Sequence, residues 1–185
     1  MWLEAFFDHR RSFARPTLLG LIGGVWIAGA ASAAPVPLSS VVASPIEGAW
    51  KTQNGTEITI APCDAGFCGT LSWVVIPKEH SADCERDRAG FGALMLDYQN
   101  PDLAMKLRQI VGMQMMTLAP TADPNTFNAT IYNAEDGKSH EGTAAVLAQN
   151  TLRLGNGCVM NVCVASQDWP RVPPRPDAPA FTCRP

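Results

Sequence analysis

Thr126-Phe127-Asn128-Ala129-Thr130-Ile131-Tyr132 is the stretch on which the fold turns. In an extended chain Phe127, Ala129 and Ile131 share one face, and Thr126, Asn128, Thr130 and Tyr132 share the other. A period of two describes a strand with one face in an apolar core and one in polar surroundings. Glu135-Asp136-Gly137 follows and supplies the positive φ that a tight hairpin needs. The pattern repeats on both sides. Strand-like runs occupy Gly48–Thr52, Glu57–Pro62, Gly69–Ile76, Gln109–Leu118, Ser139–Leu147, Thr151–Leu154 and Val162–Trp169, with Asn54-Gly55 and Asn156-Gly157 among the turns between them. Helical periodicity is nearly absent. The chain therefore reads as all-β. About eight hairpin-linked strands avoid exposed edges best by closing into a small antiparallel up-and-down barrel, which has room for one small ligand.

Two stretches do not fit a barrel strand. Pro77 to Arg108 is polar and charged at first and then admits a short helix at Pro101–Leu107. A connection this long serves as a lid, a binding loop or a disordered insert. The tail from Pro170 to Pro185 holds six prolines. It is expected to run extended over the surface, and not as a central strand, until Cys183 pins it.

At the start of the chain a basic stretch (His9, Arg10, Arg11, Arg15) precedes an apolar run from Pro16 to Ala30 and then Ala31-Ser32-Ala33. That order predicts a cleavable export signal over residues 1–33, with a linker over 34–45, the barrel domain over 46–172 and a Pro-rich tail over 173–185. The apolar run is short and glycine-rich beside the ~20 residues a membrane span requires, so no stable span is expected after cleavage. His9 to Arg15 also resembles the twin-arginine export motif, and both export routes stay open. Either route leads to the bacterial envelope, periplasmic or secreted.

Of 14 basic and 17 acidic residues, the signal would remove three and two, leaving 11 against 15 and a net charge of −4. Mild acidity argues against nucleic acid as a partner. All six cysteines lie beyond the signal, and an even count in an oxidising compartment implies disulfides before metal. Spacing favours Cys63–Cys68 and Cys158–Cys163, leaving Cys84 for Cys183, although the count alone leaves the connectivity open.

Several separated motifs carry a family resemblance. Gly48-Ala49-Trp50, Cys63 to Cys68-Gly69 followed by Trp73, and Asp97-Tyr98-Gln99-Asn100-Pro101-Asp102 with Arg108 and Gly112 come first. Ile131 to Lys138 and Gln167-Asp168-Trp169-Pro170-Arg171 complete the series. Together they resemble the bacterial domain of unknown function 2147 over about residues 46–172. That resemblance implies an exported domain with a lipocalin-like antiparallel barrel, and it implies no enzyme activity. Gly48-x-Trp50 is also similar to the start of lipocalins, where an aromatic plugs the closed end, so a packing role is expected for Trp50.

Asp97, Asn100 and Arg108 form the most interesting polar set, because Arg grips a carboxylate bidentately and Asx residues before proline favour a turn. The favoured reading is an Asp97–Arg108 clamp that orders the long loop. The functional alternative sets Arg108, with Tyr132, against an acidic ligand at the barrel mouth, which makes Arg108, Tyr132, Asp97 and Asn100 the candidate ligand-binding residues. Glu79-His80 with Asp83-Cys84 offers metal-ligand types at a spacing that matches no closed zinc site. Asp136 suits the hairpin turn, and a strand directs His140 and Glu141 to opposite faces. Met113 to Met116 reads as core filler, with an adaptable apolar pocket as the alternative.

No nucleophile elbow, phosphate-cradling glycine loop or His-Glu-x-x-His is present in the sequence, so no catalytic residue, cofactor or metal is assigned. The expectation is a monomeric, non-enzymatic envelope module that holds a small apolar or amphipathic ligand. The alternative is an interaction or structural module with a filled barrel and an envelope protein as its partner.

Overall fold

Where hydrophobicity alternates, the chain forms strands that pair with their sequence neighbours. The computed structural model describes residues 44–148, 150–156 and 163–184. The expected signal and most of the linker lie outside these residues. The strands are β1 (Gly48–Lys51), β2 (Glu57–Cys63), β3 (Gly66–Ile76), β4 (Gln114–Pro120), β5 (Thr126–Asn133), β6 (Lys138–Ala148), β7 (Thr151–Asn156), β8 (Ala165–Val172) and β9 (Ala180–Cys183). Each of β1 to β7 pairs antiparallel with the next, and β8 pairs antiparallel with β1. The eight strands thus close into the expected barrel, whose backbone polar groups satisfy one another around the ring. In β5, Phe127, Ala129 and Ile131 are buried and Asn128 is exposed, as the alternation requires.

Strand direction gives the barrel two ends. The β1, β3, β5 and β7 starts define one end, and Trp50, Ile60, Leu118, Phe127 and Leu152 belong to the core there. Phe67 packs edge-on against Phe127 with ring centroids 5.5 Å apart. Trp50 is fully buried, donates Nε1–H to Ile46 O at 2.8 Å and carries the Arg171 guanidinium 4.1 Å over its ring. Arg171 also donates to the carbonyls of Glu47 and Pro45, which closes that end. Trp50 therefore packs as its motif implies.

Three expectations need correction at the other end. The strand predicted over Gln109–Leu118 begins only at Gln114. Leu71 still exchanges backbone bonds with Gly112 and Met113, but Gly112 adopts φ 79° and turns the chain away. Beyond it, Ile110 N–H donates to Met95 O and Asp97 N–H to Arg108 O, so this segment pairs with residues 95–97 and not with β3. The vacated edge of β3 is taken by β9, which runs parallel to it from Trp73↔Ala180 to Ile76↔Cys183. Ala180-Phe181-Thr182-Cys183 lies in the longest proline-free run of the tail, so its amides are available to join a ladder at a sheet edge. The third correction concerns the long connection, where the short helix expected at Pro101–Leu107 is present as a 3-10 turn at Leu103–Met105 but is preceded by unexpected helices, a 3-10 turn at Lys78–His80, α1 (Ser81–Arg86) and α2 (Arg88–Leu94).

Disulfides fix these additions. Cys63 is bonded to Cys68 across the β2–β3 hairpin, and Cys84 of α1 to Cys183 of β9 over a sequence separation of 99 residues. Cys163 is disulfide-bonded as well, and its expected partner Cys158 lies outside the described residues. Cys84 and Cys183 join Val74 and Ile76 in a second apolar cluster, against which Phe91, Met95 and Phe181 pack. The tail is held once more by Arg175, which donates to the buried carboxylate of Glu57 at 2.8 to 3.1 Å and lies 4.1 Å over the Trp73 ring. Among the described residues no helix is long and apolar enough to cross a membrane.

Candidate functional site

Asp97 is fully buried, and the other three candidate ligand-binding residues, Asn100, Arg108 and Tyr132, converge on it. Tyr132 Oη donates to Oδ1 at 2.6 Å, while Arg108 Nη2 and Asn100 Nδ2 donate to Oδ2 at 2.6 and 2.8 Å. The Arg108 guanidinium also lies 5.4 Å from the centre of the Tyr132 ring. Burial pushes the Asp97 carboxyl up, but the three hydrogen bonds and the Arg108 charge outweigh it and hold the group below the usual carboxylate range. The Tyr132 phenol is pushed up to about 12 by burial and by donation to Asp97. The carboxylate charge is thus matched within the set, although the buried Arg108 Nε makes no hydrogen bond, and the four side chains fasten the 97–108 segment to β5.

The adjoining hairpin explains how this contact forms. Gly137 has φ 68°, and a Cβ there would meet Gln99 O at 1.9 Å. Only glycine lets the β5–β6 turn approach the loop backbone so closely.

Beside the clamp, the same barrel end holds a cavity of about 310 Å³. Ile58, Leu71, Met113, Met115, Ile131 and Leu154 are among its apolar walls, and Trp169 adds an aromatic one. The β3–β4 register shifts between Gly69 and Thr70, so Met115 is the extra residue of a bulge and is buried next to Met116. The methionines are therefore core residues, and two of them line the cavity as well. Val74, Ile76 and Met95 bring the second apolar cluster into the same wall.

Polar groups gather at the rim. Thr52, Asn54, Glu79, His80, Glu135 and Gln167 border the cavity. Tyr132 borders it too, whereas Arg108, Asp97 and Asn100 do not. Of the four residues of metal-ligand type, Asp83 pairs with Arg86 and Cys84 is in a disulfide, while Glu79 and His80 border the cavity. Sequence reasoning missed Thr52, Glu79, Glu135, Gln167 and Trp169 as cavity residues. Thr52, Glu79 and Glu135 follow the ends of β1, β3 and β5, which meet at one end of the barrel, a signal visible only when strand directions are assigned in sequence order; Gln167 and Trp169 lie within β8.

The sequence profile of the family described as "Uncharacterized protein conserved in bacteria (DUF2147)" matches residues 48–171. The chain belongs to this family. The DUF2147 match begins at Gly48 of β1 and ends at Arg171 of β8, so it spans the barrel and stops before β9. A solved structure similar to this DUF2147 protein is HP1028 from the human pathogen Helicobacter pylori, described as belonging to the lipocalin family. It is 17% identical, with a TM-score of 0.48 over 69% of this chain and 82% of that one. Among curated proteins none matches the chain.

Proposed function

We propose that this DUF2147 protein is an exported, non-enzymatic module of the bacterial envelope that binds one small apolar or amphipathic molecule inside its barrel. The observation that carries the reading is the cavity of about 310 Å³ with walls of Ile, Leu, Met and Trp side chains. Ligand sites are concave, mostly apolar and furnished with a few polar groups, and typically start at about 300 Å³. Export is supported by the order of basic, apolar and small residues at the chain start and by disulfides, which persist in oxidising compartments.

An environment-sensitive apolar dye tests the reading. Saturable one-to-one binding is expected, and Ile131→Trp, which places a large side chain in the cavity wall, is expected to weaken it at least about tenfold while leaving the far-ultraviolet circular dichroism intact. Dye binding that ignores this substitution would place the site elsewhere.

A second reading has its own observation. Leu94, Tyr98, Leu103, Met105 and Leu107 are large apolar side chains exposed along one segment of the long connection. Such a patch suits contact with another envelope protein, in which case replacing Leu103 and Leu107 by Ser would abolish partner capture and leave dye binding unchanged.

A further inference from the structure

We infer that the bound molecule carries a neutral hydrogen-bond acceptor, a ketone or ester carbonyl, held against the side-chain amides of Gln167, Asn133 and Asn54, an assignment that rests on the ligand reading above. All three residues border the cavity and all three are half-buried. On β8, Gln167 shares a face with buried Trp169, while Asp168 between them is exposed. Each amide oxygen already accepts from a group that can only donate. Trp169 Nε1 donates to Gln167 Oε1 at 3.2 Å, Glu135 N to Asn133 Oδ1 at 3.0 Å and Thr56 N to Asn54 Oδ1 at 3.2 Å. These partners fix which way each amide faces, because a donor cannot be set against the NH2 side. What the three side chains have left to offer is N–H, and none of the described residues accepts from those nitrogens.

The other polar groups at the cavity do not compete for this role. Thr52 Oγ1 donates to oxygens of Asn54 and Thr56, and Tyr132 Oη donates to Asp97 Oδ1, so both hydroxyl protons are used inside the protein. Glu79 and His80 are exposed and Glu135 is already engaged, so the charged groups at the rim are screened or matched. A purely apolar molecule that displaces water from the amides leaves their N–H groups unpaired, and orphaned buried N–H groups are costly. A carbonyl puts an acceptor where the water was. Under-satisfied oxygens are tolerated better than orphaned N–H groups, so the donors decide the head group.

The test compares 2-octanone with 1-octene, equal in chain length, by displacement of the apolar dye from the full oxidised protein at mildly alkaline pH. Gln167→Glu keeps an oxygen for Trp169 Nε1 and exchanges the NH2 group for a carboxylate oxygen. Asn133→Asp does the same opposite the Glu135 amide and decides alone if the first variant does not fold. The ratio of ketone to alkene affinity should fall about tenfold in Gln167→Glu and about threefold in Asn133→Asp, while 1-octene stays within about twofold of its original affinity. A ratio unchanged in the folded variants, with both probes still displacing the dye, would overturn the acceptor assignment and leave the ligand reading in place. Failure of both probes to displace the dye from the unaltered protein would remove the ligand reading itself, and the head group with it.

Discussion

Trp50 and Thr52 stand two residues apart, yet they belong to opposite environments. Trp50 is sealed between the Ile46 carbonyl and the Arg171 guanidinium at one end of the barrel, while Thr52 borders a cavity of about 310 Å³ at the other. The sealed end is made by the barrel's own strands and the residues just before β1. The cavity end is completed by residues from outside the meander, Glu79, His80, Met95, Ile110 and Met113, with Met95 packed against the apolar cluster that contains Cys84 and Cys183. One end behaves as a core, and the other as a wall assembled around a space.

That difference can be broken from either side. Trp50→Ala should produce the largest loss, about 3–5 kcal/mol of unfolding free energy in denaturant titrations, because it empties the sealed end. Under native conditions dye binding at the far end should change little. Replacing Cys84 and Cys183 together by Ser should cost less, about 2–4 kcal/mol, since the bridge constrains a long loop in the unfolded chain. Here the dye affinity should drop by more than tenfold at temperatures where the barrel remains folded, because the cavity wall loses its tie. Equal effects of the two changes on binding would erase the distinction between the ends.

Asp97→Asn sharpens the comparison at the smallest scale, with an expected loss of about 1–3 kcal/mol near neutral pH from weakened hydrogen bonding at a buried site. Its pH dependence is the sharper reading. Because the folded-state carboxyl lies below its ordinary value, its contribution is complete above the unfolded-state value of about 3.9 and is lost as pH falls through the lower folded value. The variant should therefore lose that part of the acid-side decline. An unchanged acid limb would show that Asp97 does not hold the loop through its charge.

The legibility of the sequence follows the same division. Strand alternation, hairpin turns and Gly48-x-Trp50 are local signals, and from them the closed eight-stranded barrel could be read before any contact was known. The Asp97–Arg108 contact was also readable, because the two residues flank a turn-rich loop. Tyr132 as the third donor to Asp97 was not, since that contact spans 35 residues and depends on the β5–β6 turn meeting the loop at Gly137. Met113 and the residues before it looked like strand because they are apolar, and only the positive φ of Gly112 reveals where the ladder stops. The replacement strand β9 was hidden by the prolines around it.

Native mass spectrometry of the chain, exported from a bacterial host and purified oxidised, tests the central claim most directly. The account predicts a near-stoichiometric mass increment that is released on denaturation and identifies as one small apolar or amphipathic molecule. Bare polypeptide that also takes up no apolar dye would contradict it, leaving the cavity as empty space and the exposed 94–107 segment as the surface to pursue.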